Sequence, residues 1–239
     1  MTTLDAPAVS ALDAATEALQ ELVVEYLAPG EQLPAEAELA ERFGVSRLTM
    51  REAVKVLAGR GLLDVARGRR AIVRRPESGV LSDYLAIALR RDPRGLLELT
   101  EIRRSLEVLS VGAAARAAAP AGLTAIRDAL GRMADAVDAD DLDGYHAADL
   151  EFHAAVALAG GNRMLALLLE SLASCLRESF AESARGHFAR GGTMTDDLDA
   201  HRRIAGAIAA GDARAAETAM RTHLDEAERD LRAARSARA

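Results

Sequence analysis

Residues 36–59 read EAELAERFGVSRLTMREAVKVLAG, and they contain two short helical patterns. Apolar residues recur at helical spacing on both sides of Gly44, and a glycine at this point permits the tight turn that joins two helices. Ser46 can cap the second helix by accepting a hydrogen bond from the backbone amide of Thr49. A helix, a short glycine turn and a helix form a helix-turn-helix, and an amphipathic pattern over Leu12–Leu27 predicts one more helix before it.

The second helix of this motif separates apolar from polar side chains. The apolar side chains, which we expect to face the core, are Met50, Val54 and Leu57. The side chains left on the outer face near the start of the helix are Arg47, Thr49, Arg51 and Lys55. In a helix-turn-helix this is the part of the recognition helix that meets base edges and phosphates. The pattern therefore predicts a DNA-binding helix.

A small β-hairpin is predicted after Gly61. Two short apolar stretches, Leu63–Val65 and Ile72–Val73, are separated by a turn. The residues of that turn are Arg67, Gly68 and Arg69. A hairpin beside a helix-turn-helix is a wing, and its guanidinium groups are placed to contact phosphates or a minor groove. The alternative is a small three-helix domain with a basic rim that binds no nucleic acid.

The distribution of charge supports DNA binding, although the net charge does not. The formal net charge of −7 by itself argues against a nucleic-acid binder. Residues 1–41 contain nine acidic and no basic residues, whereas residues 42–75 contain ten basic and two acidic residues. The rest of the chain holds twenty basic and twenty-six acidic residues. The one strongly basic block therefore coincides with the recognition helix and the wing.

The order and spacing of these residues resemble the winged helix-turn-helix of GntR-family bacterial transcription regulators. The matching stretches are Gly30–Glu36, Leu39-Ala40, Gly44–Arg47, Thr49–Ala53 and Gly61-Leu62. The resemblance implies that Ser46, Arg47, Thr49 and Arg51 approach DNA and that Gly68 enters the minor groove. Arg67 and Arg69 then flank Gly68 as phosphate-binding residues.

The sequence beyond residue 80 predicts a second domain that is all-helical. Pro76–Gly79 is typical of a linker, so we expect a winged helix-turn-helix at residues 10–75, a linker at 76–80 and a helical domain at 81–235. The six or seven predicted helices are Leu81–Arg90, Gly95–Ala119, Leu123–Asp138, Asp143–Ala159, Asn162–Ala184, Asp196–Ala210 and Ala213–Arg232. Gly186–Thr195 is predicted to be a loop. The expected fold class is mainly α, with the second domain an antiparallel bundle that can place sites between its helices.

Three histidines and an aspartate of the bundle have spacings that suit a metal site. Asp149 and His153 are four residues apart, so they share one helix face. His201 and His223 lie at about 15 and 16.5 Å of helical rise from the turn at Gly211-Asp212, which puts them at nearly the same height in a helical hairpin. One carboxylate and three imidazoles suit Zn²⁺ or another late divalent ion. Such a set also arises by chance in helical chains, so the spacing leaves a purely structural role open.

Two further histidines are less informative. His146 lies one turn before Asp149 on the same face, where it could support a ligand or lie at the surface. His187 falls in the predicted loop, and we expect it to be unrelated to the site.

The second domain resembles the C-terminal ligand-binding domain of the FadR-type subgroup of this family. The matching stretches are Glu101–Glu107, Asp149–His153, Gly161-Asn162, His201–Ile204, Ala207-Ile208 and His223. The resemblance implies that Asp149, His153, His201 and His223 hold a divalent metal ion, with Zn²⁺ preferred over Ni²⁺ or Mn²⁺. It also implies that Arg103 binds an organic acid effector, with Asn162 as a second pocket residue. The alternatives are a helix-surface pair of Arg103 with Glu107 and a helix N-cap at Asn162.

These patterns and resemblances predict a regulator of transcription. The expected protein is a homodimeric DNA-binding repressor that binds a palindromic operator and is released by a small organic acid. The alternatives are a metal-dependent enzyme acting on small acids and an architectural DNA-binding protein. The single cysteine, Cys175, excludes an intramolecular disulfide, and no apolar run reaches the roughly 18 residues of a membrane span, so we expect a cytoplasmic location.

Overall fold

A computed structural model of the chain describes residues 10–75, 77–91 and 94–237. The chain divides into two compact units, with the boundary between Val80 and Leu81. Both units are mainly helical within these residues, which confirms the predicted fold class. No described helix is long and apolar enough to cross a membrane.

The first unit contains three helices and a two-stranded antiparallel sheet in its described part. Its elements are α1 (Ala11–Glu21), a π-helical turn (Leu22–Tyr26), α2 (Glu36–Arg42), α3 (Arg47–Gly59), β1 (Leu63–Asp64) and β2 (Ile72–Val73). The strands pair Leu63 with Val73 and Asp64 with Ile72. The helix predicted over Leu12–Leu27 is therefore α-helical only in its first part, and its last residues widen into the π-helical turn.

The turn between α2 and α3 has the structure that the sequence predicts. Gly44 has a φ of 65°, in the left-handed region that favours glycine. The Ser46 side chain accepts a hydrogen bond from the Thr49 amide at 3.0 Å and caps α3. Met50 and Leu57 are fully buried, so the apolar face of α3 faces the core, and its opposite face remains at the surface.

The second unit is built from helices that follow one another with short connections. They are α4 (Gly79–Arg91), α5 (Gly95–Ala117), α6 (Pro120–Asp138), α7 (Leu142–Ala159), α8 (Arg163–Ser171), α9 (Ala173–Ala189), α10 (Met194–Ala209) and α11 (Ala213–Ser236). The beginning of α4 lies within the predicted linker, and Pro76 lies outside the described residues. Buried residues of α5, α6, α7, α10 and α11 form one large apolar core, and α8 and α9 contribute to a second cluster that includes Cys175.

The prediction of six or seven helices in the second domain was too low, because Asn162–Ala184 is two helices. The Ser171 hydroxyl donates to the carbonyl of Leu168 at 2.6 Å, and the Leu172 amide bonds instead to the carbonyl of Leu169 at 3.1 Å. The i→i−4 backbone bond is thus replaced by an i→i−3 bond at Leu172, where α8 ends and α9 follows.

The predicted loop Gly186–Thr195 was also wrong, because α9 continues to Ala189. Gly186 lies inside this helix, where a Cβ atom would come 1.8 Å from the backbone oxygen of Asp230. Gly186 therefore permits close packing of α9 on α11. The glycine with a positive φ is Gly191, at 87°, which follows the end of the helix.

Candidate metal centre and nucleic-acid interface

The recognition helix, α3, presents its predicted DNA-binding residues at the surface of the first unit. Ser46, Arg47 and Arg51 are exposed, and Thr49 is half-buried. The Nε atom of Arg51 donates to Glu36 Oε2 at 3.0 Å, which orients the guanidinium group. Leu48, which sequence analysis did not single out, is also exposed on this part of the helix.

The wing brings three more predicted residues together. Gly68 has a φ of 81°, so the left-handed conformation at the hairpin tip requires a glycine. Arg67 and Arg69 flank it and are exposed. Arg69 forms an ion pair with Asp64 at 2.5 Å, whereas no described acidic residue pairs with Arg67. The DNA contacts of all seven residues remain a prediction.

The four predicted metal ligands meet inside the second unit. Asp149 and His153 come from α7, His201 from α10 and His223 from α11, and all four are buried. The ring centroids of His201 and His223 lie 4.5 Å apart. Asp149 Oδ1 lies 2.9 Å from His201 Nε2 and 3.3 Å from His153 Nε2. The turn at Gly211-Asp212 joins α10 to α11, and these two helices bring the two distant histidines together.

Groups behind the cluster set the orientation of two imidazoles. The Nδ1 atom of His201 lies 2.9 Å from the carbonyl oxygen of Asp197, so a proton on Nδ1 leaves Nε2 with its lone pair. His153 Nδ1 lies 2.5 Å from Glu107 Oε2, an ion-pair contact whose angles are not those of an aligned hydrogen bond. Both contacts favour Nε2 as the metal-binding atom.

The donor atoms of the cluster lack hydrogen-bond partners within the described residues. These buried atoms are Asp149 Oδ1, His153 Nε2 and His201 Nε2. Leaving a buried polar atom unsatisfied costs about 1–3 kcal/mol, and more when the group is charged. The nitrogen atoms that His153, His201 and His223 can offer lie within 4.8 Å of one another. The residues therefore fit a divalent cation, which would satisfy these atoms together.

The electrostatics of the cluster agree with that fit. Burial lowers the pKa of His223 to about 3, and the neighbouring His201 contributes, so this imidazole is neutral, as a metal ligand must be. Burial also acts to lower the pKa of His153, but the Glu107 and Asp149 carboxylates raise it to about 9. Burial opposes ionisation of Asp149, yet His201 and His153 hold the pKa of that carboxyl below its usual range. The carboxylates thus attract positive charge to this point.

A cavity of about 980 Å³ lies beside the cluster. Asp149 and His223 form part of its wall, together with Arg103, Tyr145 and Phe180. The Arg103 side chain is buried, its guanidinium carbon lies 4.7 Å from the Phe180 ring centroid, and its Nε donates to Glu107 Oε1 at 2.6 Å. Arg103 therefore lines the cavity and pairs with Glu107 in the interior, so the alternative of a pair at the helix surface was wrong, and its effector role stays a prediction.

The structure does not bring Asn162 into this site. Asn162 is exposed, and its Oδ1 accepts a hydrogen bond from the Leu165 amide at 3.1 Å at the start of α8. Its side chain is therefore used as a helix N-cap, the alternative that the sequence had left open.

Two residues of the site were missed or placed differently by sequence analysis. Asp197 accepts a hydrogen bond from the Tyr145 hydroxyl at 2.8 Å and lies 3.6 Å from His223 Nδ1. Asp197 precedes His201 by four residues, the spacing of Asp149 and His153, so the same periodicity could have found it. His187, expected in a loop away from the site, lies on α9 and lines the cavity, with Nδ1 3.3 Å from Asp230 Oδ2.

Both units of the chain match models of known protein families. The model described as "Bacterial regulatory proteins, gntR family" matches residues 12–73, and the FCD domain model matches residues 98–226.

Several relatives match nearly the whole chain. The HTH-type transcriptional regulator LutR of Bacillus subtilis is 34% identical over 203 residues, which cover 84% of this chain and 92% of that protein. The galactonate operon transcriptional repressor of Escherichia coli is 32% identical over 208 residues, which cover 85% of this chain and 89% of that protein. Among solved structures, Streptococcus agalactiae GntR matches with a TM-score of 0.76 at 30% sequence identity, over 91% of this chain and 99% of that chain.

These matches agree with the recognition helix and wing of the first unit and with the helical bundle of the second. The chain belongs to the gntR family of bacterial regulatory proteins and is a transcription regulator with a C-terminal FCD domain.

Proposed function

We propose that the protein is a homodimeric repressor that binds a palindromic operator and leaves it when a small organic acid enters a metal-containing cavity. The observation that carries this proposal is the group of buried, unsatisfied donor atoms of Asp149, His153 and His201 beside a cavity of about 980 Å³. A cation held there, with the buried Arg103 in the same cavity wall, would give a carboxylate two positive partners.

DNA binding is assigned to α3 and the wing. Ser46, Thr49 and the arginines Arg47 and Arg51 would contact base edges and phosphates in the major groove, which their position at the surface of α3 supports. Arg67, Gly68 and Arg69 are placed to reach the adjacent backbone and minor groove. The basic block of residues 42–75 supplies the attraction for phosphate, and the acidic residues elsewhere limit non-specific binding.

A dimer is proposed because one recognition helix reads only a few base pairs. Two copies related by a twofold axis read two half-sites about one helical turn apart, which is the geometry of a palindromic operator. Repression is supported by the similarity to the galactonate operon transcriptional repressor, whose name connects its operon with an organic acid.

The proposed metal is Zn²⁺, with Ni²⁺ and Mn²⁺ as alternatives, and Asp149, His153, His201 and His223 would hold it. Three imidazoles and one carboxylate suit an intermediate metal such as zinc. The bound cation supplies positive charge that can attract an anionic ligand. Arg103 orients the carboxylate of that ligand, and the surrounding side chains exclude water from it.

Release from DNA requires that the acid binds one arrangement of the protein better than the other. An acid that prefers the arrangement unable to bind the operator shifts the population toward it by its differential affinity. By the same linkage, operator DNA weakens binding of the acid.

The test is a binding experiment with a DNA fragment from the region upstream of the protein's own gene. We expect specific binding that a pool of small organic acids weakens, with the active acid then identified by thermal shift. Salt-dependent binding with no preference for that fragment over random DNA would support the architectural alternative. Specific binding that no acid alters would contradict the sensing part of the proposal.

The metal-dependent enzyme is not supported as an alternative. The relatives named above are transcription regulators, and the structure named above is a GntR protein.

A further inference from the structure

We infer that Glu107 is a positioning residue that serves both halves of the proposed ligand site. It holds the His153 imidazole for the metal and the Arg103 guanidinium for the acid, and so couples the two. The inference rests on the proposed function, because it requires that the four buried side chains hold a cation.

Both oxygens of the Glu107 carboxylate contact these two groups. The side chain is 2% exposed, with Oε1 2.6 Å from Arg103 Nε and Oε2 2.5 Å from His153 Nδ1. The side chains of Arg103 and His153 are also almost fully buried, so solvent screens the interactions between these charges only weakly. A single buried carboxylate therefore lies between the proposed acid-binding residue and a proposed metal ligand.

The contact with Glu107 selects one tautomer of His153. When His153 is neutral, as a metal ligand must be, a proton on Nδ1 faces the carboxylate and leaves Nε2 unprotonated and directed toward Asp149, 3.3 Å from its Oδ1. Metal-binding histidines usually direct their second nitrogen at a carboxylate or carbonyl, which fixes the ring and makes it a stronger ligand. Without Glu107, His153 can place its proton on either nitrogen.

Arg103 receives its orientation from the other oxygen. Nε is used by Glu107, whereas Nη2 is buried with no hydrogen-bond partner within the described residues. An arginine presents its donors in a rigid plane, so fixing Nε also fixes the direction of Nη2. That nitrogen is an unsatisfied donor of a residue that lines the cavity, and we assign it to a ligand carboxylate.

The shared carboxylate makes the two binding events interdependent. Metal binding fixes His153 against Oε2 and thereby holds the Glu107 carboxylate, whose Oε1 orients Arg103 for the acid. Linkage requires that the acid strengthens metal binding by the same factor.

The first test measures Zn²⁺ affinity by competition with a chromogenic chelator. Glu107→Gln should weaken zinc binding by about 10- to 100-fold, because the amide can donate as well as accept and no longer enforces one tautomer. Glu101→Gln, an exposed change on the same helix, should leave the affinity unchanged. In the zinc-loaded protein, the NMR signal of the His153 Nδ1 proton should be visible in the native chain and lost to water exchange in Glu107→Gln.

The second test uses a double-mutant cycle with zinc alone as the ligand. Arg103→Met should change zinc affinity severalfold although Arg103 is not a metal ligand. The substitution removes one of the two partners of Glu107, so the carboxylate then interacts only with His153. In the Glu107→Gln background, Arg103→Met should change zinc affinity by less than about twofold. The double variant removes both buried charges together, so we expect it to fold even where Glu107→Gln alone does not.

The outcomes separate this inference from the proposed function. Suppose that the native chain binds zinc and that Glu107→Gln and the double variant bind zinc with an affinity within about twofold of the native value. Glu107 then has no positioning role, and the metal site stands. If the effects of Glu107→Gln and Arg103→Met on the free energy of zinc binding are additive, the proposed coupling through Glu107 is wrong. A native chain that binds no zinc overturns the metal site and this inference together.

Discussion

Among single residues, Arg51 gives the most direct test of DNA binding. Its pair with Glu36 is exposed and contributes little to folding stability, so its removal should leave the protein folded. We expect Arg51→Ala to weaken operator binding by about 10- to 100-fold, since a specific base contact contributes about 1–3 kcal/mol. Fluorescence anisotropy with labelled DNA measures this change.

A matched control lies just beyond the other end of the same helix. Arg60 caps the C-terminus of α3 and bonds to Gln20 at 2.7 Å, so Arg60→Ala should affect operator binding much less. Equal losses in the two variants would mean that positive charge alone, rather than the exposed start of α3, determines affinity.

His201 provides the corresponding test of the metal centre. It is fully buried, and its Nε2 lies 2.9 Å from Asp149 Oδ1, so His201→Ala should abolish stoichiometric metal binding. Elemental analysis of protein purified without chelators should find roughly one divalent ion per native chain and almost none in the variant. His146→Ala, a change at a cavity histidine outside the ligand set, should keep the ion. Metal retained by His201→Ala would contradict the proposed ligands.

At the scale of secondary structure, the helix that carries His201 depends on its first turn. Thr193 and Asp196 form a capping box at the start of α10, in which each side chain accepts a hydrogen bond from the other residue's backbone amide. We expect Thr193→Ala to lower the free energy of unfolding by about 1 kcal/mol. Thr124→Ala, at an exposed site within α6, should be neutral or slightly stabilising. Chemical denaturation of the two variants measures the difference, and equal stabilities would argue against the box.

Elements whose signals are local could be predicted from the sequence. The turn at Gly44 and the cap at Ser46 depend on neighbouring residues, and the structure shows both. The hairpin of α10 and α11 was predictable because equal helical distances from Gly211-Asp212 put His201 and His223 at the same height. Their ring centroids are indeed 4.5 Å apart.

Features that depend on tertiary packing could not be predicted in this way. Gly186 suggested a loop, yet it is a point of close contact between α9 and α11. Glu107 was considered only as a surface partner of Arg103, because nothing in its own helix indicates that His153 packs against it. The break at Leu172 has no proline or glycine to mark it, and only the hydrogen bonds of Ser171 and Leu172 in the folded chain show it.

For the whole molecule, metal removal should act on one unit only. All four proposed ligands lie in the second unit, so EDTA should increase hydrogen exchange in α7, α10 and α11 and leave α1 to α3 unchanged. An ion present at about 100 times its Kd adds about 2.7 kcal/mol to stability. Mass spectrometry of exchanged peptides locates the effect. The His201→Ala variant should not respond to EDTA, and unchanged exchange of α7, α10 and α11 in the native chain would show that the ion binds elsewhere.

Cys175 makes opening of the cavity wall measurable as a reaction rate. It is the one cysteine of the chain and is 2% exposed, and it lies on α9, which also carries Phe180 of the cavity wall. A thiol reagent in solution can reach it only when α9 separates from its neighbours, so the labelling rate reports how often that helix opens. An acid that stabilises the closed cavity should slow labelling in proportion to its occupancy. The labelling rate of Cys175 in the native protein therefore reports effector binding without DNA and without an introduced probe.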